Sequence, residues 1–229
     1  VTTIIVPSKY PDIFQDCLTS INKFAPKENK TLVRDGEDIA PPAGWTVIEG
    51  IKPFIYSRNV NLGINACADN VLLCNDDVRF NQPGTIEILE HVMDAYPDIG
   101  ILSPRTLGGV GNVDQARARG IVHYTNQRLA FVCVLIRRAV IEQIGLLDER
   151  FVGYGWDDVD FCRRAVNAKW KMACTALTTV KHGHREQTYS SSYLRQSSDI
   201  RHREYQARVL LGRSIYQQKW GDCKHENFQ

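Results

Sequence analysis

Short apolar runs alternate with amphipathic stretches through the first half of the chain. The run TTIIVP at 2–7 is β-branched and closes on Pro7, so it reads as a buried strand. In PDIFQDCLTSINKF, which follows, Ile13, Phe14, Cys17, Leu18, Ile21 and Phe24 recur at helical spacing behind Pro11, a residue suited to a first helical turn. KTLVRDGED reads as a strand running into an acidic turn, and YSRNVNLGINACADN as moderately helical. NVLLCNDD at 70–77 is an apolar strand ending in acids, PGTIEILEHVMDAYP a helix stopped by Pro97, and IGILSP a strand. Strand–helix alternation at these lengths predicts a parallel sheet covered by helices.

From about residue 105 the alternation weakens. RTLGGVGNVDQARARG holds four glycines and no clear period, and reads as a long loop. RLAFVCVLI at 128–136 predicts a strong strand, RRAVIEQIG a short helix closed by Gly145, DVDFCRRAVNAKW a helix, and KMACTALTTV an alternating strand. KHGHREQTYSSSY reads as a loop, and DIRHREYQARVLLGRSIYQQKWG as a terminal helix. No linker, repeat or low-complexity tract interrupts the chain. The expectation is one domain, its second half less regular.

Charge and cysteine usage narrow the function classes. A net charge of +2 without a Lys/Arg stripe gives no nucleic-acid footprint. The 7 cysteines are odd in number, scattered and without a C-x-x-C pair, and most lie in apolar contexts. They read as buried free thiols of a reducing, cytoplasmic compartment. No apolar run reaches the roughly 20 residues of a membrane span. The expectation is a soluble protein without a transmembrane anchor, peripheral membrane attachment remaining open.

Polar residues collect where the predicted strands end. In open α/β sheets ligands bind outside the carboxyl ends of the strands. The first strand runs into Pro7 and Ser8, the second into Arg34, Asp35 and Gly36, and the strand at 70–75 into Asn75, Asp76 and Asp77. Such residues also form ordinary turns; three clusters on one parallel edge favour a site. An acid pair directly after a buried strand is costly unless it is solvated, paired or bound to a cation. Oxygen ligands on a loop suit Mg2+ or Mn2+ bridging a diphosphate. In KHGHR the imidazoles of His182 and His184 alternate, so at most one points into such a site, where a histidine beside carboxylates fits Mn2+.

The segment GYGWDDVDFCRR at 153–164 places Asp157, Asp158 and Asp160 in the first turn of a predicted helix. The helix dipole favours anions there. Gly153 and Gly155 permit tight turns, and Tyr154 and Trp156 offer flat faces to a ligand or to the core.

Taken in order, these segments resemble the family 2 glycosyltransferases. The resemblance rests on TTIIVPSKY, VRDGED, SRNVNLGINACADNVLLCNDDV, VLIRRAVIEQIGLLDERFVGYGWDDVDFCRRA, VKHGHREQT and YQQKWG, and covers nearly the whole chain. It implies a GT-A domain over 1–229: a mostly parallel, Rossmann-like sheet flanked by helices, with a nucleotide-sugar half at 1–104 and a less regular acceptor-binding and catalytic half at 105–229. It implies nucleotide contacts from Pro7, Ser8, Asp35, Arg58, Asn59, Asn75 and Asp76, and a Mn2+ or Mg2+ ion on Asp77 with His182, or His184 as the alternative. It implies Asp158 as general base, with Asp157, Trp156 and Tyr154 toward the acceptor. Two positions depart from the family pattern: Asn75 stands where the D-x-D motif begins with an acid, and Asp157 stands in place of a glutamate.

The activity so implied is inverting transfer of a sugar from a nucleotide diphosphate, UDP by default, to a hydroxyl of a glycan, protein or small molecule. Two other classes compete. A sugar-phosphate nucleotidyltransferase usually carries a glycine-rich basic loop after its first strand, and VPSKYPDIF has no glycine. A non-catalytic binder of nucleotide sugars or glycans would have no use for Asp158.

Overall fold

The computed structural model describes residues 1–35, 39–108, 112–153, 155–183 and 198–221, with backbone alone for 198–202. Its first half is built as the apolar runs predict. Strands β1 (Thr2–Ser8), β2 (Asn29–Arg34), β3 (Thr46–Glu49) and β4 (Asn70–Cys74) alternate with helices α1 (Pro11–Phe24) and α2 (Tyr56–Asn65). They pair in parallel in the order β3-β2-β1-β4, with Ile4 level with Lys30 and Leu72, and Ser8 level with Arg34. The carboxyl ends of β1, β2 and β4 therefore share one edge.

Beyond β4 the sheet changes direction. Strand β8 (Cys133–Ile136) lies antiparallel to β4 and to β6 (Ile99–Gly108), and β9 (Lys171–His182) returns parallel to β6. The short strands β5 (Val78–Phe80) and β7 (His123–Thr125) both pair antiparallel with β9. One continuous sheet thus joins the regular first half to the irregular second. β6 runs past Pro104 by way of a register shift, so the expected loop begins later than the glycines suggest and contains helix α4 (Val113–Arg117).

The strand expected over 128–136 is shorter than its apolar run. Only Cys133–Ile136 joins the ladder. Side chains take backbone groups of the preceding residues instead: Gln115 bonds both the N–H (2.8 Å) and the carbonyl (3.0 Å) of Ala130, and the Tyr56 hydroxyl donates to the Phe131 carbonyl (3.0 Å). The fully buried Gln115 acts here as a substitute strand edge.

Core side chains alternate across the sheet with period two. Ile4, Val6, Leu32, Leu72 and Leu135 pack with Phe14 and Ile21 of α1 and with Leu89 of α3 (Thr85–Ala95). Ile5, Val33, Val71, Leu73, Val134 and Ile136 face the other way. They meet Val60 of α2, Val140 of α5 (Arg138–Ile144), Phe161 of α6 (Asp157–Asn167) and Tyr216 of α7 (Ser198–Trp220). Each such burial contributes roughly 1.5–3 kcal/mol. Adjacent arginines fix the helix ends: Arg137 donates to the Met93 carbonyl at the end of α3, and Arg138 to those of Cys67 and Asp69 beyond α2.

α7 shows little helical amphipathicity, and a few contacts hold it. At the crossing with the loop before α6, a Cβ on Gly153 would lie 2.4 Å from the Arg208 carbonyl oxygen, and one on Gly212 would lie 2.9 Å from Trp156. Only two glycines let the backbones approach this closely. Six cysteines are free thiols, five of them buried; Cys223 lies outside the described residues. No helix among the described residues is long and apolar enough to cross a membrane.

Candidate active site

The three strand-end clusters form one hydrogen-bonded rim. The Asp35 N–H donates to the Ser8 carbonyl (3.0 Å), and the Ser8 hydroxyl donates to Asp76 Oδ2 (2.8 Å). Parallel pairing of β1 with β2 and β4 makes these contacts unavoidable, since it sets all three strand ends side by side. Pro7 and Ser8 are buried in β1. Burial, then the charge of neighbouring Asp77, pushes the Asp76 carboxyl up to about 7, and the Ser8 hydroxyl opposes this.

Two buried polar atoms on this rim, Asp35 Oδ2 and Asn75 Oδ1, and two on α2, Ser57 Oγ and Asn59 Nδ2, lack a hydrogen-bond partner. Such orphans are rare in folded proteins and call for a ligand or ordered water. Arg58 and Asn59 lie behind the rim and shape it. Asn59 Oδ1 accepts from the Ile51 N–H (3.2 Å), while Arg58 donates to the carbonyls of Ile51 (2.7 Å) and Pro53.

Asp77 and His182 are far apart in sequence and meet because β5 pairs with β9, with Val78 opposite His182. His182 Nε2 stands 3.3 Å from Asp77 Oδ1, both side chains largely buried. One carboxylate oxygen and one imidazole nitrogen form part of a coordination shell. Among the described residues no group of three or more His, Cys, Asp or Glu side chains is placed to hold an ion alone. The set fits a cation that takes its remaining ligands from phosphate oxygens and water, as Mg2+ and Mn2+ do. The crowding of Asp76 and Asp77 is the kind of repulsion such an ion relieves. His184 lies outside the described residues.

The second acidic group lies at the start of α6. Trp156 precedes the helix in the left-handed region (φ 72°, ψ −21°), a conformation that costs a non-glycine residue about 1–2 kcal/mol. Its ring is half-buried and packs on Tyr216 of α7 at 5.1 Å between centroids. Tyr154 lies outside the described residues.

Asp157 and Asp158 follow, 6% and 8% exposed. Burial, then the charge of Asp158, pushes the Asp157 carboxyl up to about 7. Burial also raises Asp158, but Arg128 and backbone N–H groups of Val159, Trp156 and Phe131 draw it back down. The Val159 N–H donates at 2.8 Å, and Arg128 Nη1 stands 3.5 Å away. Asp160 is different. It is fully buried and held by Arg164 Nε (2.9 Å), Lys219 Nζ (2.7 Å) and Trp220 Nε1 (2.8 Å), so it joins α6 to α7.

Segment 128–132 joins the two acidic groups. Its Val132 carbonyl accepts from the Asn75 N–H (2.9 Å), its Phe131 carbonyl accepts from Tyr56, and its Arg128 faces Asp158. The Tyr56 hydroxyl is pushed well above its ordinary range by burial, then by the charges of Asp157 and Asp158, with Asp76 adding to them. Tyr56 thus stands within electrostatic reach of both groups and stays a hydrogen-bond donor. Tyr56, Gln115 and Arg128 escape the sequence reading, since no local pattern marks them.

No family model and no curated protein matches the sequence. Solved structures do match. The chain superposes on GalNAc-T7, solved with UDP, GalNAc and Mn2+, with a TM-score of 0.64 at 10% identity, over 81% of this chain and 44% of that one. It superposes on TarS of S. aureus with a TM-score of 0.60 at 11% identity, over 80% of this chain and 36% of that one. The chain therefore spans less than half the length of either protein. The central mixed sheet with flanking helices is the GT-A glycosyltransferase fold.

Proposed function

We propose that the protein is an inverting glycosyltransferase that moves a sugar from a nucleotide diphosphate, UDP by first choice, to an acceptor hydroxyl. The observation that carries this reading is the meeting of two acidic groups across segment 128–132 in a GT-A fold, one at the sheet edge and one at the start of α6. The fold by itself would not suffice, because one fold hosts many activities.

In this reading Pro7, Ser8 and Asp35 take the base and ribose of the donor, and the unsatisfied Asn75 Oδ1 and Asp76 lie toward ribose and diphosphate. Arg58 and Asn59 brace segment 51–53 behind these groups. Asp77 and His182 would hold a divalent cation, which would supply positive charge to the leaving diphosphate. The acceptor hydroxyl gives its proton to Asp158 as its oxygen forms the new bond to the anomeric carbon. The bond from that carbon to the diphosphate oxygen breaks on the opposite face, and the nucleotide diphosphate leaves with the electron pair. Asp157 and Trp156 orient the acceptor, and the acceptor is a glycan, a protein or a small alcohol.

A thermal-shift panel of nucleotide diphosphates and nucleotide sugars, each with and without Mn2+, tests the reading. A ligand that binds only the folded state at 100 times its Kd adds about 2.7 kcal/mol of stability. The expected result is a rise with a uridine nucleotide that requires the cation and is lost in Asp77→Asn. Asp158→Asn should keep that rise and lose transfer. No rise with any nucleotide at millimolar concentration, with either cation, overturns the proposal.

A further inference from the structure

Asp157 and Asp158 are adjacent, buried and unequal. Two carboxylates so placed do not both ionise cheaply. The cation, and more of the N–H groups that stabilise an anion, gather on the second: Arg128 Nη1 at 3.5 Å, the Val159 N–H at 2.8 Å, and N–H groups of Phe131 and Trp156. Asp157 receives backbone N–H groups of its own residue and of Asp158, and it faces the charges of Asp158 and Asp160. The remaining groups around the pair do not supply the asymmetry. Tyr56 on α2 is held neutral by burial and then by the charges of Asp157 and Asp158, and Cys162 on α6 by burial and the charge of Asp158. Asp160 is matched by Arg164 and Lys219. The Arg128 guanidinium meets Asp158 at 3.5 Å, and its side chain is 26% exposed.

We propose that Arg128 is a positioning residue that divides the work of the pair: it keeps Asp158 the anion that accepts the acceptor's proton, and it leaves Asp157 an uncharged carboxylic acid that donates a hydrogen bond to the acceptor. This rests on the transferase reading for its catalytic use, but not for the division of charge. An opposite charge at this distance lowers a carboxyl by about one to three pH units, enough to order two otherwise similar groups. A carboxyl kept neutral in order to donate is a known use of burial in active sites.

The division is measurable without substrate. In the full chain labelled with [13Cγ]aspartate, with Asp157→Asn and Asp158→Asn to assign the signals, Asp158 should titrate below Asp157. Arg128→Gln should move the Asp158 signal up by about one to three pH units, and Arg128→Lys should restore most of the difference. An Asp158 signal unmoved in a folded Arg128→Gln protein overturns the proposal. So does a wild-type titration in which Asp157 ionises first, which decides the matter even should the glutamine variant fail to fold. In transfer assays the acidic limb of kcat/KM should move up with the same variant. A moved titration without transfer from any nucleotide sugar would remove the transferase reading and the pair's catalytic use, leaving the charge assignment standing. Transfer with an unmoved titration would remove this proposal alone.

Discussion

Replacing Asp160 with alanine should loosen the protein at the joint between α6 and α7. The carboxylate is fully buried and accepts from two cations and an indole: Arg164 Nε at 2.9 Å, Lys219 Nζ at 2.7 Å and Trp220 Nε1 at 2.8 Å. Breaking a buried ion pair by removing one partner costs about 3–5 kcal/mol. The lower end applies here, because neither cation is stranded. Arg164 also donates to the carbonyls of Ile144 and Leu146, Lys219 also reaches Asp148, and their side chains are 17% and 21% exposed. Adding an indole N–H left without a partner gives about 3–4 kcal/mol in all. For a chain of this length that is a fall in Tm of roughly 6–15 °C. Urea unfolding followed by tryptophan fluorescence measures the loss, and hydrogen exchange in 213–220 locates it. Asp160→Asn, which keeps an acceptor for Trp220, should lose less. A change below 1 kcal/mol in Asp160→Ala, with exchange in α7 unaltered, would refute the reasoning.

Asp157 should make stability depend on pH. Its folded carboxyl stands near 7 against an unfolded value near 3.8, so the folded state holds a proton the unfolded chain has released. Below the unfolded value there is no penalty; it grows as pH rises, and it is full above the folded value. Asp157→Asn should therefore match the wild type at pH 4 and exceed it at pH 8 by about 2–4 kcal/mol in urea melts; equal stability at pH 8 would contradict this. At the glycine crossing, Gly153→Ala should cost about 3 kcal/mol and Gly212→Ala about 1–2. The first Cβ meets backbone atoms of Arg208 and Gly212 that cannot yield, whereas the second first meets the ring of Trp156. Denaturant midpoints in the reverse order would show that the ring, not the backbone, limits the approach.

Much of this fold can be read from the chain, because strands buried on both faces must be apolar throughout. β1 and β4 announce themselves in that way, and α1 and α6 by apolar residues at helical spacing. β3, β5 and β7 do not. They are only three or four residues long, and their strand identity comes from partners distant in sequence. The truncation of β8 has the same origin, since Gln115 and Tyr56 take backbone groups that the apolar run alone would assign to a ladder. The acids of the rim are legible as charges that close apolar runs. Their common edge follows once the strands are read as parallel; which of them touch does not, because that depends on which strands are neighbours. Arg128 precedes an apolar run and looks like a solvated flank; its role exists only because segment 128–132 passes between β4 and α6.

The two acidic groups are held in place by different means. Asp35, Ser8 and Asp76 are fixed by the sheet, and shifting them would break the pairing of β1 with β2 and β4. Asp157 and Asp158 are fixed by a helix that contacts β9 and whose first turn carries two unfavourable features. The buried like charges cost about 2–4 kcal/mol and the left-handed Trp156 about 1–2. One turn of the same helix carries the Asp160 junction, whose two cations and indole tie α6 to α7. α7 thus braces the helix that carries Asp157 and Asp158, although it contributes none of the candidate groups. Loss of that docking would leave the sheet-edge group intact and release Asp157 and Asp158.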